Sequence, residues 1–407
     1  SYSNSNYHAR NREKRTREVL VVNYRKDKKD LAGEIGFKSY CWSVGTTSYR
    51  TDHFNMNIEW QLKLLKEFWQ LPQNQGKSWT GNGSLQADYY YFLREHDFMA
   101  GEAERPDKDA RQKTSGLRDI GLLDDERALT EAGEALLRIL QSGDFSSDNP
   151  LEIPRDSFIY LKQLLKTCNQ VNGHAVRPFV VFLYVVSRTG YLTDEEFTYL
   201  LPLCIDRAAT EKITGRILDG RAEGRTDYKA VILSMLMDMD VYDRALQRLQ
   251  KAAAVTEELI SEISMNRKSA RYTRPYYKIY HILKRMVFER EEVGGEAAIR
   301  LYDATRELTN AKVGGRWRKY FFGSRRRPAI LREGMGALNP VSMLKAPDTE
   351  TFNREFFELL HLIKAEATLS DYFDLNRRYF RITDTVLFED GRVRLDILPR
   401  CYVDLIG

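Results

Sequence analysis

The sequence predicts a mainly α-helical protein with small β-hairpins, and three observations carry that prediction. Apolar residues recur at helical spacing along most of the chain. At two places a helical stretch runs directly into a short pair of apolar segments around an acidic turn. The hydrophobic share is 43%, with 23 Tyr and 19 Phe, which is ample for packed cores. At 407 residues the chain exceeds one ordinary core. It divides into a basic N-terminal extension (1–40), a first subdomain (41–145) and a second, mostly helical one (146–407) that closes with a module at 370–400.

The first expected helix covers Asn57 to Trp69, where Ile58, Leu62, Leu65 and Trp69 share a face and Pro72 follows as a stop. Ser84 to His96 comes next behind the Gly81–Asn82–Gly83 break, with Leu85, Tyr89, Phe92 and Leu93 inward. After a polar stretch, Asp109 to Leu140 holds the most informative local pattern. A basic helix with Arg111, Lys113 and Arg118 reaches Gly121, then come Leu122–Leu123, a turn at Asp124–Asp125, Ala128–Leu129, and Thr130 as the cap of a last helix.

That order is how a winged helix reads. In such a module the helix before the wing enters the major groove, where Arg or Lys meets guanine edges, while the wing rides on the backbone. The same three cations would also suit an ordinary exposed helix.

Phe158–Lys166, Pro178–Arg188 and Asp194–Leu201, the last behind a Thr193 cap, read as core helices. Glu257–Met265 and Tyr276–Phe288 continue the pattern, and Tyr277 and Tyr280 suit packing better than base stacking. Ser370 to Arg381 opens on a capping serine, carries Arg377, Arg378 and Arg381, and leads into two alternating runs about Glu389–Asp390–Gly391. The fold class therefore sharpens to tandem winged-helix-like subdomains that bind DNA.

Charge agrees. Between Met265 and Arg332 there are 18 Lys or Arg against 6 Asp or Glu, a net +12 in a chain whose total is +5, so the remainder sums to −7. Arg316, Arg318, Lys319, Arg325, Arg326 and Arg327 lie there among Trp317, Phe321 and Phe322, in a stretch that suits either a hairpin or a loop ordering on a polyanion. The first thirty residues add nine basic side chains. Such asymmetry is the footprint of a polyanion, because neutralised phosphates release counterions. A membrane surface would attract the same charge, but the apolar anchoring face it needs is missing around Arg325–Arg327. Double-stranded DNA is the expected partner, and no membrane is.

No run approaches the roughly 18 apolar residues of a membrane span, and the polar N-terminus lacks a signal peptide's apolar stretch. A cytoplasmic protein is expected. Cys41, Cys168, Cys204 and Cys401 show neither CxxC nor Cys/His spacing and are expected as buried thiols.

Taken in order, Trp42–Phe54 (WSVGTTSYRTDHF), the IEWQLKLL helix, GLLDDERALTEAG, FIYLKQLLK, RPFVVFLYVVSRTGYLTDEEF and NRRYFRITDTVLFEDGRVRLDI resemble the N-terminal region of AlwI-type restriction endonucleases. BstNBI-like nicking enzymes share the arrangement. The resemblance spans residues 40 to 407 and rests on collinearity. It implies a Type IIS-like enzyme in which winged-helix-like subdomains read a short asymmetric site, while a separate C-terminal PD-(D/E)XK domain, using Mg²⁺, cuts at a distance. It makes WSVGTTSYR a recognition segment with Thr46, Thr47, Ser48 and Arg50 as contacts. Gly45 permits close approach, hydroxyls suit phosphates and Arg50 suits guanine, although a plain hydroxyl-rich loop reads the same way.

A PD-(D/E)XK site needs carboxylates on adjacent strands to hold Mg²⁺. Pro106–Asp107 is followed by no fitting triplet, Pro347–Asp348 leads into a helical run, and Asp227–Tyr228–Lys229 opens the helix-like AVILSML. The six histidines are scattered, and GxxxxGK[ST] is lacking. The expectation is that these residues recognise DNA without a cofactor of their own, and that cleavage comes from a missing C-terminal domain or a nuclease subunit. The alternative is a non-catalytic winged-helix regulator or replication initiator.

Overall fold

The computed structural model describes residues 38–45, 53–265, 273–289 and 296–406. Among the described residues helix dominates, at 66% against 5% strand. The chain forms two compact units that are not consecutive in sequence. One contains Ser39–Thr226 and Ser370–Gly407, and the other contains Asp227–Leu369.

In the first unit, α1 (Phe54–Gln70) buries Ile58, Leu62 and Leu65 as their spacing marks, but it is Phe68 that is buried with them, while Trp69 is half-buried with its indole on the Arg127 carbonyl. α2 (Gly83–Glu95) starts where the Asn82 side chain accepts from the Leu85 amide at 3.0 Å. Tyr89 of α2 packs edge-on against Phe68 at 5.0 Å and Trp79 at 5.7 Å. α3 (Pro106–Asp119) begins on a proline and stops at Ile120. A single antiparallel bridge, Leu123 to Leu129, follows, and then α4 (Glu131–Ser142) with Thr130 capping it.

α5 (Arg155–Lys166) leads to a hairpin of β1 (Asn169–Val171) and β2 (His174–Val176). This hairpin was not anticipated, although its Asn172–Gly173 turn, with both residues at positive φ, is a strong hairpin signal. Next come α6 (Pro178–Thr189), β3 (Leu192–Thr193) and α7 (Asp194–Tyr199), the last held by a full capping box between Thr193 and Glu196. α8 (Arg207–Ala222) is capped by Asp206.

The second unit is helical throughout its described residues: α9 (Tyr228–Met237), α10 (Asp240–Gln250), α11 (Glu257–Ile263), α12 (Arg274–Phe288), α13 (Ala297–Arg306), α14 (Ala311–Phe322), α15 (Arg327–Glu333) and the first part of α16 (Thr349–Arg381). Its centre is aromatic. Tyr280 meets Phe356 at 5.0 Å and Phe352 at 5.5 Å, its hydroxyl donates to Asn353 at 2.7 Å, and Trp317 meets Phe356 at 6.0 Å. Beside it His361, fully buried, takes up the Ile263 carbonyl at 2.9 Å; burial first and the Lys364 ammonium second hold its pKa well below the usual histidine value.

Two local readings are corrected. Residues 314–322 form neither a hairpin nor a loop but the body of α14, and only 323–326 are a short link before α15. Asn310 caps α14, and Val313, Trp317 and Phe321, spaced four apart, are buried. Gly314 belongs inside that helix because a Cβ there would stand 2.6 Å from the Thr305 carbonyl. Ser370 does not cap a helix but lies within α16, which runs unbroken from Thr349 to Arg381 and buries Leu369 just before the serine and Leu375 just after it.

The chain then returns to the first unit. β4 (Val386–Glu389) and β5 (Arg392–Leu395) pair around Asp390–Gly391, and β5 also pairs with β3, Leu192 opposite Val393. The sheet order is β3–β5–β4. Phe380, at the end of α16, is fully buried against Phe179 at 5.0 Å and Phe182 at 5.3 Å on α6 and against Phe197 at 5.7 Å on α7. α17 (Ile397–Ile406) closes the chain, and Arg400 on it donates to the Val186 carbonyl at 2.8 Å.

Candidate nucleic-acid interface

The acidic GLLDDER turn after α3 is a structural knot. Asp124 accepts from the Ala128 amide at 2.8 Å, and Asp125 holds Arg118 at 2.7 Å. Glu126 takes the Ser78 hydroxyl and the Trp79 amide, each at 2.6 Å, and the Thr80 amide at 3.2 Å. Burial alone would raise the Glu126 pKa, but these donors outweigh it and bring the carboxyl down to about 2. Arg127 is buried at positive φ, with Nε donating to Thr114 at 2.9 Å, while the Trp69 indole reaches its carbonyl at 3.0 Å.

The cations expected on this module are spoken for in different degrees. Arg118 has a side chain only 8% exposed and ties α3 to the turn. Arg111 lies half-buried between Asp107, at 3.0 Å, and Gln86. Lys113 is half-buried too, and burial, opposed by Asp109, lowers its pKa. Thr46, Thr47, Ser48 and Arg50 lie outside the described residues. The residues leading to them are anchored: Trp42 donates its indole N–H to the Cys204 carbonyl at 3.1 Å, and the Val44 amide reaches Asn376 of α16 at 2.9 Å. Gly45, at φ +69, lies against the Tyr379 ring so closely that a Cβ would fall 2.0 Å from Cε2.

The end of α16 and the β4–β5 hairpin form a second cationic group. Arg377, 39% exposed, is held by Asp374 at 3.1 Å and lies 5.3 Å over the Phe373 ring; Arg378 faces the same carboxylate at 3.7 Å. The hairpin adds Arg392 and Arg394, which sequence reading did not single out. The alternation about buried Val393 was the signal, since it turns both arginines outward. Arg392 sits 4.5 Å over Tyr191, and Arg394 meets Glu389 at 3.2 Å.

In the second unit the six expected cations separate. Arg316 turns onto Glu366 at 3.4 Å. Arg327 is bidentate to Asp303 at 2.9 and 2.8 Å. Arg318 donates to the Thr305 carbonyl at 3.3 Å, Arg325 meets Glu333 at 3.1 Å, and Lys319 and Arg326 are exposed.

The acids weighed for metal binding have other work. Asp206 caps α8 through the Ala209 amide at 2.8 Å, Asp227 caps α9 through Lys229 at 3.1 Å, and Asp348 opens α16 through Thr351 at 2.7 Å. Among the described residues no group of three or more His, Cys, Asp or Glu is placed to hold a metal ion. No described helix is long and apolar enough to cross a membrane. Two of the four cysteines, Cys41 and Cys204, are buried as expected; Cys168 and Cys401 are exposed, because the first follows the end of α5 and the second lies on the outer face of α17.

Comparison with known families matches residues 118–406 to the AlwI restriction endonuclease. That defines the class as a restriction endonuclease, a protein whose partner is DNA. The chain belongs to the AlwI restriction endonuclease family. A search of curated proteins finds no match.

Proposed function

We propose that these residues recognise double-stranded DNA sequence-specifically, as the target-recognition part of a Type IIS-like restriction or nicking endonuclease, with cleavage supplied by a PD-(D/E)XK domain or subunit beyond them. One observation carries the reading. α6, β3, α7, the end of α16, β4 and β5 follow the helix–strand–helix–helix–strand–strand order of a winged helix, and the sheet order β3–β5–β4 is the one such a module uses. Residues 207–369 are interposed between its second and third helices. On this reading residues 370–381 are the recognition helix, Arg377 and Arg378 its base-facing cations, and β4–β5 the wing that brings Arg392 and Arg394 to the backbone. α3 with the Leu123–Leu129 bridge is a second, smaller module of the same kind, in which the half-buried Arg111 and Lys113 are the cations nearest to DNA.

The reading places the chain in the cytoplasm, where a restriction enzyme meets incoming DNA. Selection of bound sequences from a random duplex pool tests it, followed by incubation with Mg²⁺. Enrichment of one short asymmetric motif supports the proposal. A palindromic motif favours a dimeric regulator instead, and no duplex binding at low salt refutes it.

A further inference from the structure

α13, α14 and the link into α15 enclose a hollow of about 380 Å³ in the second unit. Its polar lining is almost wholly cationic: Arg318 and Lys319 come from α14, and Ser324 and Arg325 from the link, with Tyr302 of α13 as one wall and no Asp or Glu in the lining. The geometry of the cations is set from behind. Gly314 lets α14 close on the Thr305 carbonyl, and Arg318 is fixed there by its bond to that carbonyl, 5.9 Å over the Tyr302 ring. The floor is open because Gly315 carries no side chain, and Gly323, at φ +61, turns the chain so that Ser324 and Arg325 complete the rim. Lys319 stands exposed at the mouth, with no carboxylate among the described residues pairing with its ammonium.

We infer that this hollow binds a phosphodiester group of the DNA backbone. The side chains at its rim are donors, apart from a serine hydroxyl that both donates and accepts, and three of the four are cationic, so the group that suits the site is an anion rich in acceptors. Such a set matches a non-bridging phosphate oxygen pair, met by the N–H groups that Arg318 and Arg325 keep beside their bonds to the Thr305 carbonyl and Glu333, with Lys319 as a point charge. The volume exceeds a single phosphate and leaves room for the adjoining deoxyribose against the Tyr302 ring. The site is therefore a sequence-independent clamp, distinct in kind from the base-facing helix proposed above. It rests on the reading that the chain binds duplex DNA.

The test uses the full chain and three substitutions: Lys319→Gln, Ser324→Asp, which places an acid in the hollow, and Lys345→Gln as an exposed cation of the same unit outside the lining. Duplex affinity is read by fluorescence anisotropy across a salt series, on intact duplexes and on duplexes with single methylphosphonates, while far-UV circular dichroism shows that each variant is folded.

Lys319→Gln is expected to weaken selected and random duplexes by the same factor and to lower the salt slope by about one. Ser324→Asp is expected to weaken both further. One methylphosphonate position that weakens the unaltered protein should cost the Lys319→Gln variant nothing more. Lys345→Gln should keep its full methylphosphonate response. If the unaltered protein binds duplex DNA while Lys319→Gln and Ser324→Asp match it in affinity and slope, the clamp is refuted and DNA recognition stands. If no duplex is bound but inorganic pyrophosphate is, and Ser324→Asp abolishes that, the hollow takes a free small anion and both readings fall. Tighter binding of polyglutamate than of duplex, lost in Lys319→Gln, would likewise overturn the clamp in favour of an acidic peptide.

Discussion

Phe380→Ala tests whether the last residues of the chain fold into the first unit. The ring is fully buried and makes three aromatic contacts, to Phe179 at 5.0 Å, Phe182 at 5.3 Å and Phe197 at 5.7 Å, on segments about two hundred residues earlier. A buried phenylalanine removes roughly 150–250 Å² from water, which at about 25 cal/mol per Å² is about 4–6 kcal/mol. Partial collapse of the site brings the expected loss to about 3–5 kcal/mol. Urea unfolding followed by tryptophan fluorescence and circular dichroism measures it, with Phe356→Ala, in the core of the second unit, as the matched comparison. Two transitions are expected from two units, and each variant should move a different one. Phe380→Leu should lose less than half as much. An unchanged midpoint in Phe380→Ala, or movement of the transition that Phe356→Ala moves, would refute the assignment of residues 370–406 to the first unit.

Glu126→Gln removes an acid-sensitive lock. The folded carboxyl sits at about 2 against an ordinary 4.5, so its contribution is complete above about pH 4.5 and is lost as pH falls towards 2. With screening of a partly exposed side chain that contribution is about 1–2 kcal/mol, and the variant should show a correspondingly flatter stability curve below pH 4.5 in acid titration by circular dichroism. Gly45→Ala forces a methyl into the Tyr379 ring and a non-glycine residue into positive φ, costing about 2–4 kcal/mol in urea unfolding, whereas Gly391→Asn at the hairpin turn should cost under about 1 kcal/mol. Arg118→Ala should lower thermal stability by freeing Asp125 and should weaken all duplexes alike. Arg377→Ala should leave the melting temperature within about 2 °C and relax the base preference at one position of the selected site.

Much of the helical fold was legible because its causes are local. α1, α2, α6, α7 and α12 declare themselves by stripes such as Ile58–Leu62–Leu65 and by caps such as Thr193, and the β4–β5 hairpin by its Asp-Gly turn. The helix through Arg316, Arg318 and Lys319 was not legible, because the reason for a glycine within it is tertiary: a neighbouring carbonyl leaves no room for a Cβ at Gly314. Ser370 has the side chain of a good cap, yet the helix runs on through it with buried residues on either side, Leu369 and Leu375. The pairing of β3 with β5 joins residues 192–193 to 392–393, and no short-range pattern announces such a partner. The candidate cations were legible as residue types but not in their engagements. Arg118 and Arg327 are tied to Asp125 and Asp303, and Lys319 faces a hollow, only because the fold brings those groups together.

The most direct measurement of the central claim is the ratio of affinities for the selected duplex and a scrambled duplex of the same length and composition, taken at one physiological salt concentration. Sequence-specific recognition predicts a ratio of at least about 10³, with Arg377→Ala lowering it and Lys319→Gln leaving it unchanged while both affinities fall. Equal affinities for the two duplexes would contradict the account.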